Sequence, residues 1–383
     1  MTDVTTGYRD DVIDALETLA QYGIPNPGSA HLFDVGTRPY LDYFEQEVMD
    51  GFVSHGGATC KFFEGAYGSG KTHLLQLLRQ RALEKGMIVA SADLSQALRL
   101  EDWKQITAYI LENMEARVNN QMVRSLPAII SALQAGRTIH ADNLKKVHLV
   151  HPGFHNALWW AAQKEHLNAA AWNTLRDFLT GNRVSVADMR RHNLLGVKGP
   201  LNGRNAELVL KTVLGGLYHL GVPGVLLLFD ENERTLQSTR SIPPRSQRIA
   251  ANLMRRLIDG CTTGLLVGTV SVFAVLPGFL EMCSRNYPAL GQRLQMVSGG
   301  LPKQAWRVPT LPLEKVNIMQ HPEDFLKAST EMFIGHVERL QGNIDGLREQ
   351  MTGIGQRVLE NNVGSGYKRE LMKSLSHACL SRL

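Results

Sequence analysis

The sequence has few cysteines and no long apolar run. Its four cysteines, Cys60, Cys261, Cys283 and Cys379, form no CxxC pair and no metal-ligand spacing, so we expect reduced thiols rather than disulfides or a zinc site. No apolar stretch approaches the roughly 20 residues that cross a bilayer. The first 20 residues are acidic and lack the pattern of a basic leader followed by an apolar segment. These absences predict a cytoplasmic protein without a membrane segment.

The sequence also lacks internal repeats at a fixed period and low-complexity segments. Its hydrophobic content of 44% and charged content of 20% are close to the average for soluble globular proteins. The 383 residues exceed the length of roughly 250 to 300 residues at which a single core stops growing. We therefore expect two or three domains, or one large domain with an insertion.

Charge is unevenly distributed along the chain. The net charge is +5, but residues 1–60 hold ten acidic residues against Arg9 and Arg38, a net charge of −8, which leaves +13 for the remaining residues. Such asymmetry is typical of a basic surface for nucleic acid, or of an acidic face that docks onto a basic face of a neighbouring subunit. Solvated surfaces without a partner are the alternative.

Apolar patterns alternate between helix and strand on both sides of a long interruption. Residues 9–22 and 39–52 predict helices, and a short strand leads into a glycine loop that opens a third helix. The segments "MIVASADL", "GVLLLFDENE" and "GLLVGTVSVFAV" predict further buried strands. Between about Leu98 and Leu210 the pattern is helical, without a convincing strand, and beyond "LPLEKV" it is helical to the end.

These patterns predict an α/β fold with a parallel sheet flanked by helices. We divide the chain into an N-terminal helical segment (1–60), a core (61–310) that carries a helical insertion (97–210), and a helical C-terminal lid (311–383).

The stretch "GAYGSGKT" has the spacing of a phosphate-binding loop. Its glycines let backbone N–H groups surround a polyphosphate, and the helix that follows directs its positive end at the anion. Lys71 can reach the β and γ phosphates, and the Thr72 hydroxyl is placed to bind Mg²⁺. The predicted nucleotide-binding residues are Gly65, Ala66, Tyr67, Gly68, Ser69, Gly70, Lys71 and Thr72.

Two adjacent acids follow the apolar run "VLLLF". Asp230, at the carboxyl end of a buried strand, can hold the metal ion with its water shell. Glu231 can polarise an attacking water as a general base. The alternative is a strand that ends in surface acids. Glu233 fits better as a salt-bridge acid.

Two further sites are weaker. Thr269 or Ser271, on a strand predicted to lie beside the one that carries Asp230, can orient the lytic water or contact the γ phosphate, and an ordinary buried threonine is an equal alternative. Arg293, and less so Arg285, can act as an arginine finger on the nucleotide of a neighbouring subunit. A surface arginine is the alternative for both.

A basic, glycine-bearing stretch, residues 183–205, is the best nucleic-acid candidate in the chain, with a solvated loop as the alternative. Neither the histidines between His140 and His166 nor the tryptophans Trp159, Trp160 and Trp172 form a recognisable site. We expect polar surface or hydrogen-bonded histidines for the former. For the latter we expect core packing, with base stacking by exposed tryptophans as the alternative.

The order of "EGAYGSGKTHLL", "ASADLSQ", the helical insertion, "LLLFDENE", "LLVGTVSVF" and "YPALGQRL" resembles the ATP-binding proteins of BREX phage-defence systems, the BrxD-like family of P-loop ATPases, whose layout is similar to AAA+ and STAND enzymes. The likeness spans about residues 20–310. By this resemblance Lys71, Thr72, Asp230 and Glu231 take the family's Walker roles, and Arg293 matches the arginine of the "YPAL" segment.

The resemblance implies ATP, Mg²⁺, a homo-oligomer and operon-encoded defence partners that include a helicase-like protein, with DNA as a further possible partner. We expect an ATPase switch or motor. A scaffold that binds ATP with little turnover, and a small-molecule kinase, are the alternatives. The 159 positions from Lys71 to Asp230 argue against the compact acceptor pocket of a kinase.

Two elements of nucleotide recognition are less defined in the sequence. No NKxD-type guanine signature is present, which favours ATP over GTP. The segment "YGIPNPG", with Val35 and Gly36, is a candidate lining of the base pocket, and a simple turn is the alternative. Arg369 in "GSGYKREL" is the candidate sensor arginine of the C-terminal tail, with a surface helix as the alternative.

Overall fold

The architecture is a seven-stranded sheet with helices on both faces and a helical unit at one end. The computed structural model describes residues 2–94, 98, 102–230, 245–295, 308–319, 321–340, 342–362 and 366–383. Within them the strand order is β4-β3-β2-β5-β6-β1-β7. The strands are β1 (Ala58–Glu64), β2 (Ile88–Asp93), β3 (Glu115–Val118), β4 (Gln121–Arg124), β5 (Val225–Asp230), β6 (Thr269–Val275) and β7 (Thr310–Pro312).

Fifteen α-helices lie within the described residues. They are α1 (Thr2–Tyr22), α2 (Arg38–Tyr43), α3 (Lys71–Glu84), α4 (Trp103–Asn113), α5 (Leu126–Ala135), α6 (Pro152–Ala161), α7 (Ala169–Leu179), α8 (Val186–Arg191), α9 (Ala206–Leu220), α10 (Arg245–Thr262), α11 (Phe279–Asn286), α12 (Pro288–Gln295), α13 (Pro322–Arg339), α14 (Leu347–Asn361) and α15 (Tyr367–Leu380).

The five strands β2, β5, β6, β1 and β7 are parallel to one another. Their sequences are almost continuously apolar because both faces of a parallel sheet are covered. Successive residues of β5 alternate between the two cores: Leu227 and Phe229 pack towards the insertion, and Leu226 and Leu228 towards α3. Phe62, Phe273 and Phe229 stack across the three central strands with centroid distances of 5.0 and 4.6 Å. This ladder holds β1, β6 and β5 in one register.

The two ends of the chain share one hydrophobic cluster. Leu16 and Leu19 of α1 pack with Phe333 of α13 and with Leu371 and Leu375 of α15, and α1 lies along α15. The N-terminal helix is therefore part of the C-terminal helical unit. β7 lies beyond the boundary expected near residue 310, because its residues Leu311 and Pro312 pair with β1.

The expectation that the insertion contains no strand is wrong. β3 and β4 form an antiparallel hairpin that joins the edge of the sheet at β2. Its turn residues Asn119 and Asn120 have φ values of 50° and 62°, the backbone of a type I′ hairpin turn, which asparagine tolerates. The strands are only four residues long, too short for their alternation to stand out. Arg79 of α3 fastens the hairpin with a bidentate ion pair to Glu115.

Residues 39–52 form α2 followed by a π-helical stretch, Phe44–Asp50, rather than one regular helix. Among the described residues, no helix is long and apolar enough to cross a membrane.

Lys61 is a buried cation in the strand that leads to the glycine loop. It is 5% exposed, its Nζ donates to the Val308 carbonyl at 3.0 Å, and burial lowers its pKa to about 8. The folded protein therefore disfavours the charged form that the unfolded chain retains up to pH about 10.5.

We predict that the Lys61→Met variant loses a pH dependence of stability. As pH rises from 7 to 10, the wild type should gain roughly 2 kcal/mol in unfolding free energy relative to the variant, because its unfolded state binds the extra proton. Denaturant titrations at both pH values measure the difference, and Lys327→Met, at an exposed position, is the control. A difference that does not change with pH would contradict the prediction.

Candidate functional site

The glycine loop lies between β1 and α3 and is folded as a phosphate cradle. Gly68 and Gly70 have φ values of 75° and 98°, which disfavour any residue with a Cβ. A Cβ on Gly65 would lie 2.5 Å from the Ser69 hydroxyl. The Ser69 Oγ in turn donates to the Ala66 carbonyl at 2.7 Å, which closes the loop on itself ahead of the N-terminus of α3.

Lys71 and Thr72 project from the first turn of α3 in two directions. Lys71 is buried, and its Nζ donates to the carbonyls of Gly65 at 2.8 Å and Ala66 at 3.2 Å, so the ammonium lies inside the cradle. The Thr72 hydroxyl donates to Asp230 Oδ2 at 2.6 Å. Asp230 is the last residue of β5. The hydrogen bond therefore joins α3, which follows β1, to β5, which lies two strands from β1 in the sheet.

The cradle opens into a cavity of about 530 Å³, a volume within the range of small-molecule sites. Its walls come from several parts of the chain. The phosphate loop and the aspartates Asp93 and Asp230 line it. Residues after α1 and the helix α15 also line it. Asp93 pairs with Asp230 in the register of β2 and β5, so two carboxylates lie at the same sheet edge.

Apolar side chains also line the cavity, and several of them come from the segment expected to line a base pocket. Ile24, Pro25 and Val35 line it together with Phe325 and Met372. The backbone here is fixed by Asn317, whose Nδ2 donates to the Val35 carbonyl at 2.7 Å. An apolar slot beside a phosphate cradle suits a flat heterocycle attached to a polyphosphate.

Arg369, on α15, lines the cavity. Its Nε donates to the Tyr22 carbonyl at 2.9 Å, and its Nη1 donates to the Tyr67 hydroxyl at 2.5 Å. The guanidinium also lies 5.2 Å from the centre of the Tyr67 ring. Neighbouring Lys368 lines the same cavity, and burial lowers its pKa although nearby Glu314 opposes the shift. α15 thus brings two cationic side chains to the phosphate loop.

His73, in the wall of the cavity, has an unsatisfied polar side chain within the described residues. Both of its ring nitrogens are buried, and neither has a hydrogen-bond partner among the described residues. Burial lowers its pKa, which favours the neutral ring, while Asp34 opposes the shift. A buried polar group without a partner is costly in a protein interior, so a polar ligand in the cavity is consistent with its position.

A nucleoside triphosphate with Mg²⁺ fits these residues. The cradle and Lys71 supply donors for the phosphates, and the hydroxyl and carboxylates of Thr72, Asp230 and Asp93 are oxygen ligands of the kind that Mg²⁺ binds.

Not all of the predicted site residues are found at the cradle. Glu231, the expected general base, lies outside the described residues. The expectation that Thr269 lies near the γ phosphate is wrong. Thr269 begins β6, pairs with Ala58 at the start of β1, and is at the opposite sheet edge from the cradle. Ser271 is fully buried in the middle of the same strand. β6 does lie beside β5, as predicted, but its phosphate-side end is apolar, with Val275 followed by Leu276 in the cavity wall.

The two candidate finger arginines lie on the helices after β6. Arg293 on α12 donates from Nε to Asp259 at 2.9 Å, and Arg285 on α11 pairs with Glu281 in the same helix. Neither lines the cavity of its own chain. A finger that acts on a neighbouring subunit does not require such a position, so the finger role stays a prediction.

Comparison with known proteins identifies the family of this chain. A family model described as "BREX system ATP-binding protein BrxC/D" matches residues 5–135 and 134–320, which is most of the chain. The chain belongs to this family. It is the family that the order of motifs indicated, and membership supports a role in BREX phage defence with ATP as the ligand. No curated protein and no solved structure gives a match.

In this BrxC/D family member, the cavity is also lined by residues that the sequence did not single out. Asp93, His73, Asn317, Lys368 and Phe325 all line the cavity. Asp93 could have been predicted from the sequence, because it is an acid at the end of a predicted buried strand. The others come from helices and turns that meet the cradle only in the folded structure.

We predict that Arg369→Ala weakens ATP binding about tenfold, because loss of a charge-assisted hydrogen bond typically costs between 1.5 and 3 kcal/mol or so. Titration with a fluorescent ATP analogue measures the affinity. Arg357→Ala, an exposed arginine on α14, is the matched control and should bind like the wild type. Equal affinities for both variants would show that Arg369 is only a surface residue.

Proposed function

We propose that this protein is an Mg²⁺-dependent ATPase of the AAA+/STAND-like type that acts as a switch or motor in BREX phage defence. The single observation that carries the proposal is the Thr72–Asp230 hydrogen bond of 2.6 Å. It brings a hydroxyl at the start of α3 and a carboxylate at the end of β5 to the spacing at which one metal ion with its water shell can contact both.

The residues of this chain have separable roles in the proposed reaction. The cradle and Lys71 bind and orient the phosphates, and Arg369 with Lys368 adds positive charge from the opposite side. Glu231 follows Asp230 directly and is the proposed base that orients an attacking water and accepts its proton. Thr72 and Asp230 would hold Mg²⁺, which would supply positive charge to the phosphates.

The C-terminal helices are the proposed lid. α13 to α15 share a core with α1, and α15 carries the two cations that line the cavity. We therefore extend the lid to include α1, while residues 38–312 form the ATPase core with its insertion. A lid that contacts the cradle through Tyr67 can respond to the contents of the cavity.

The proposed partners follow from the family. BREX operon products, a helicase among them, are the proposed targets of the switch, and DNA is a proposed ligand. We also propose a homo-oligomer in which Arg293 contacts a neighbour's nucleotide. Mass measurement with and without ATP tests the assembly. Breaking the Arg293–Asp259 pair would free the guanidinium for contact with the neighbour's nucleotide.

Experiments can distinguish this function from two alternatives. A scaffold that binds ATP with little turnover has the same cradle but no functional base. A small-molecule kinase requires an acceptor pocket. The 530 Å³ cavity extends from the cradle to the apolar slot that we assign to the base, which favours an ATPase over a kinase.

We predict that Glu231→Gln retains ATP binding but lowers turnover at least a hundredfold, because a positioned base contributes about 10²- to 10⁴-fold. Phosphate release measures turnover, and nucleotide titration measures binding. Lys71→Ala is the comparison variant and should lose binding itself. Assays run alone, with DNA and with operon partners separate an ATPase that needs a partner from a scaffold. Unchanged turnover in Glu231→Gln would remove it from the mechanism.

We predict that Asp230→Asn raises the Mg²⁺ concentration needed for half-maximal ATP affinity about tenfold or more, because the substitution removes one carboxylate charge from the metal site. Titration of Mg²⁺ at a fixed ATP concentration measures this Mg²⁺ concentration. A parallel series measures ATP binding without Mg²⁺. Asp345→Asn, at an exposed position that does not line the cavity, is the control. An identical Mg²⁺ dependence in all three proteins would place the metal elsewhere.

A further inference from the structure

We propose that residues 183–205, here called the insertion loop, form a nucleic-acid binding surface that contacts the phosphodiester backbone. The stretch comprises α8 and the long connection to α9. It lies in the insertion, and none of its residues lines the nucleotide cavity. The proposal therefore concerns a second site on the protein.

The insertion loop concentrates positive charge on exposed side chains. It contains five cationic residues and a single acid, Asp188. Arg191 pairs with Asp188 at 3.3 Å. Within the part of the chain that the structure describes, no ion pair involves the other four cations, and all four are exposed: Arg183, Arg190, Lys198 and Arg204.

The loop is held in one conformation rather than loosely solvated. Asn156 Nδ2 donates to the Gly196 carbonyl at 3.1 Å, and Trp160 Nε1 donates to the Leu195 carbonyl at 3.1 Å. Asn205 Nδ2 donates to the Pro200 carbonyl at 3.0 Å. These bonds tie the loop to α6 and to its own exit into α9.

Buried side chains anchor the loop from below. Leu194, Val197 and Leu201 are 3%, 4% and 6% exposed, whereas Leu195 is 75% exposed. At Gly153 of α6 the two backbones are in direct contact, since a Cβ there would lie 1.7 Å from the Lys198 carbonyl oxygen. A preformed loop loses little conformational entropy when a ligand binds.

The side-chain chemistry favours nucleic acid over an acidic protein. Protein interfaces are depleted of charge at their centres and enriched in aromatic residues, but the insertion loop contains no Tyr, Phe or Trp. Nucleic-acid interfaces are more polar and strongly positive. Four of the five cations are arginines, whose planar guanidinium binds phosphate oxygens in a bidentate manner. The expected contacts are to phosphate oxygens, whose negative charge these cations neutralise.

The test is fluorescence anisotropy of the full chain with a labelled DNA single strand and the corresponding duplex, at several salt concentrations. We expect affinity to fall steeply with salt, because each neutralised phosphate releases counterions. The double variant Lys198→Ala/Arg204→Ala should bind about tenfold more weakly, with a salt slope smaller by roughly two. A second pair, Arg183→Ala/Arg190→Ala, should behave in the same way.

The control removes two exposed cations from the C-terminal helices, Lys327→Ala/Arg357→Ala, and should retain wild-type binding. ATP binding by every variant should be unchanged, which separates failure of this proposal from failure of the proposed ATPase. Equal DNA affinity of the loop variants and the control would overturn the assignment. So would self-association of the wild type that the loop variants lose while DNA fails to bind, since that result would identify an acidic protein surface as the partner.

Discussion

The nucleotide site depends on the parallel register of β1, β6 and β5. Phe62, Phe273 and Phe229 stack in line across these strands, so the glycine loop after β1 and Asp230 at the end of β5 come out at the same sheet edge. A shift of one residue in either pairing would turn Asp230 to the other face of the sheet. The hydrogen bond from Thr72 to Asp230 therefore reports a constraint set by the hydrophobic interior of the sheet rather than by the site residues.

The second requirement of the site is the meeting of the two chain ends. α1 and α15 pack together, and the turn after α1 contributes Gly23, whose added Cβ would lie 2.5 Å from the Arg369 side chain. Arg369 bonds both the Tyr22 carbonyl and the Tyr67 hydroxyl. One arginine thus links the N-terminal helix, the C-terminal helix and the phosphate loop, and any ligand that displaces Tyr67 changes the contacts of all three.

The core strands and the cradle could be predicted from sequence because their signals are local. "VLLLFD" is a buried strand that ends in an acid, and the spacing from Gly65 to Thr72 defines a cradle by backbone chemistry alone. The prediction failed for Thr269 because an apolar run of twelve residues does not show where its strand begins. β3, β4 and β7 are too short for their periodicity to be detected. Asn317 and Lys368 act on the cavity only through tertiary contacts, and no local pattern identifies such residues.

The insertion contacts α3, the helix that follows the cradle. This helix begins at the cradle with Lys71. Two turns later, Arg79 forms a bidentate ion pair with Glu115 of the β3–β4 hairpin. Glu115 is only 7% exposed, so separation of the pair would leave a buried carboxylate without its cation, at a cost of several kcal/mol, about 3 to 5. A shift of α3 large enough to break this pair is therefore disfavoured, and a smaller shift moves the hairpin with it. The insertion helices pack on the face of the sheet opposite to α3, so the hairpin, which also contacts α5, links them to α3.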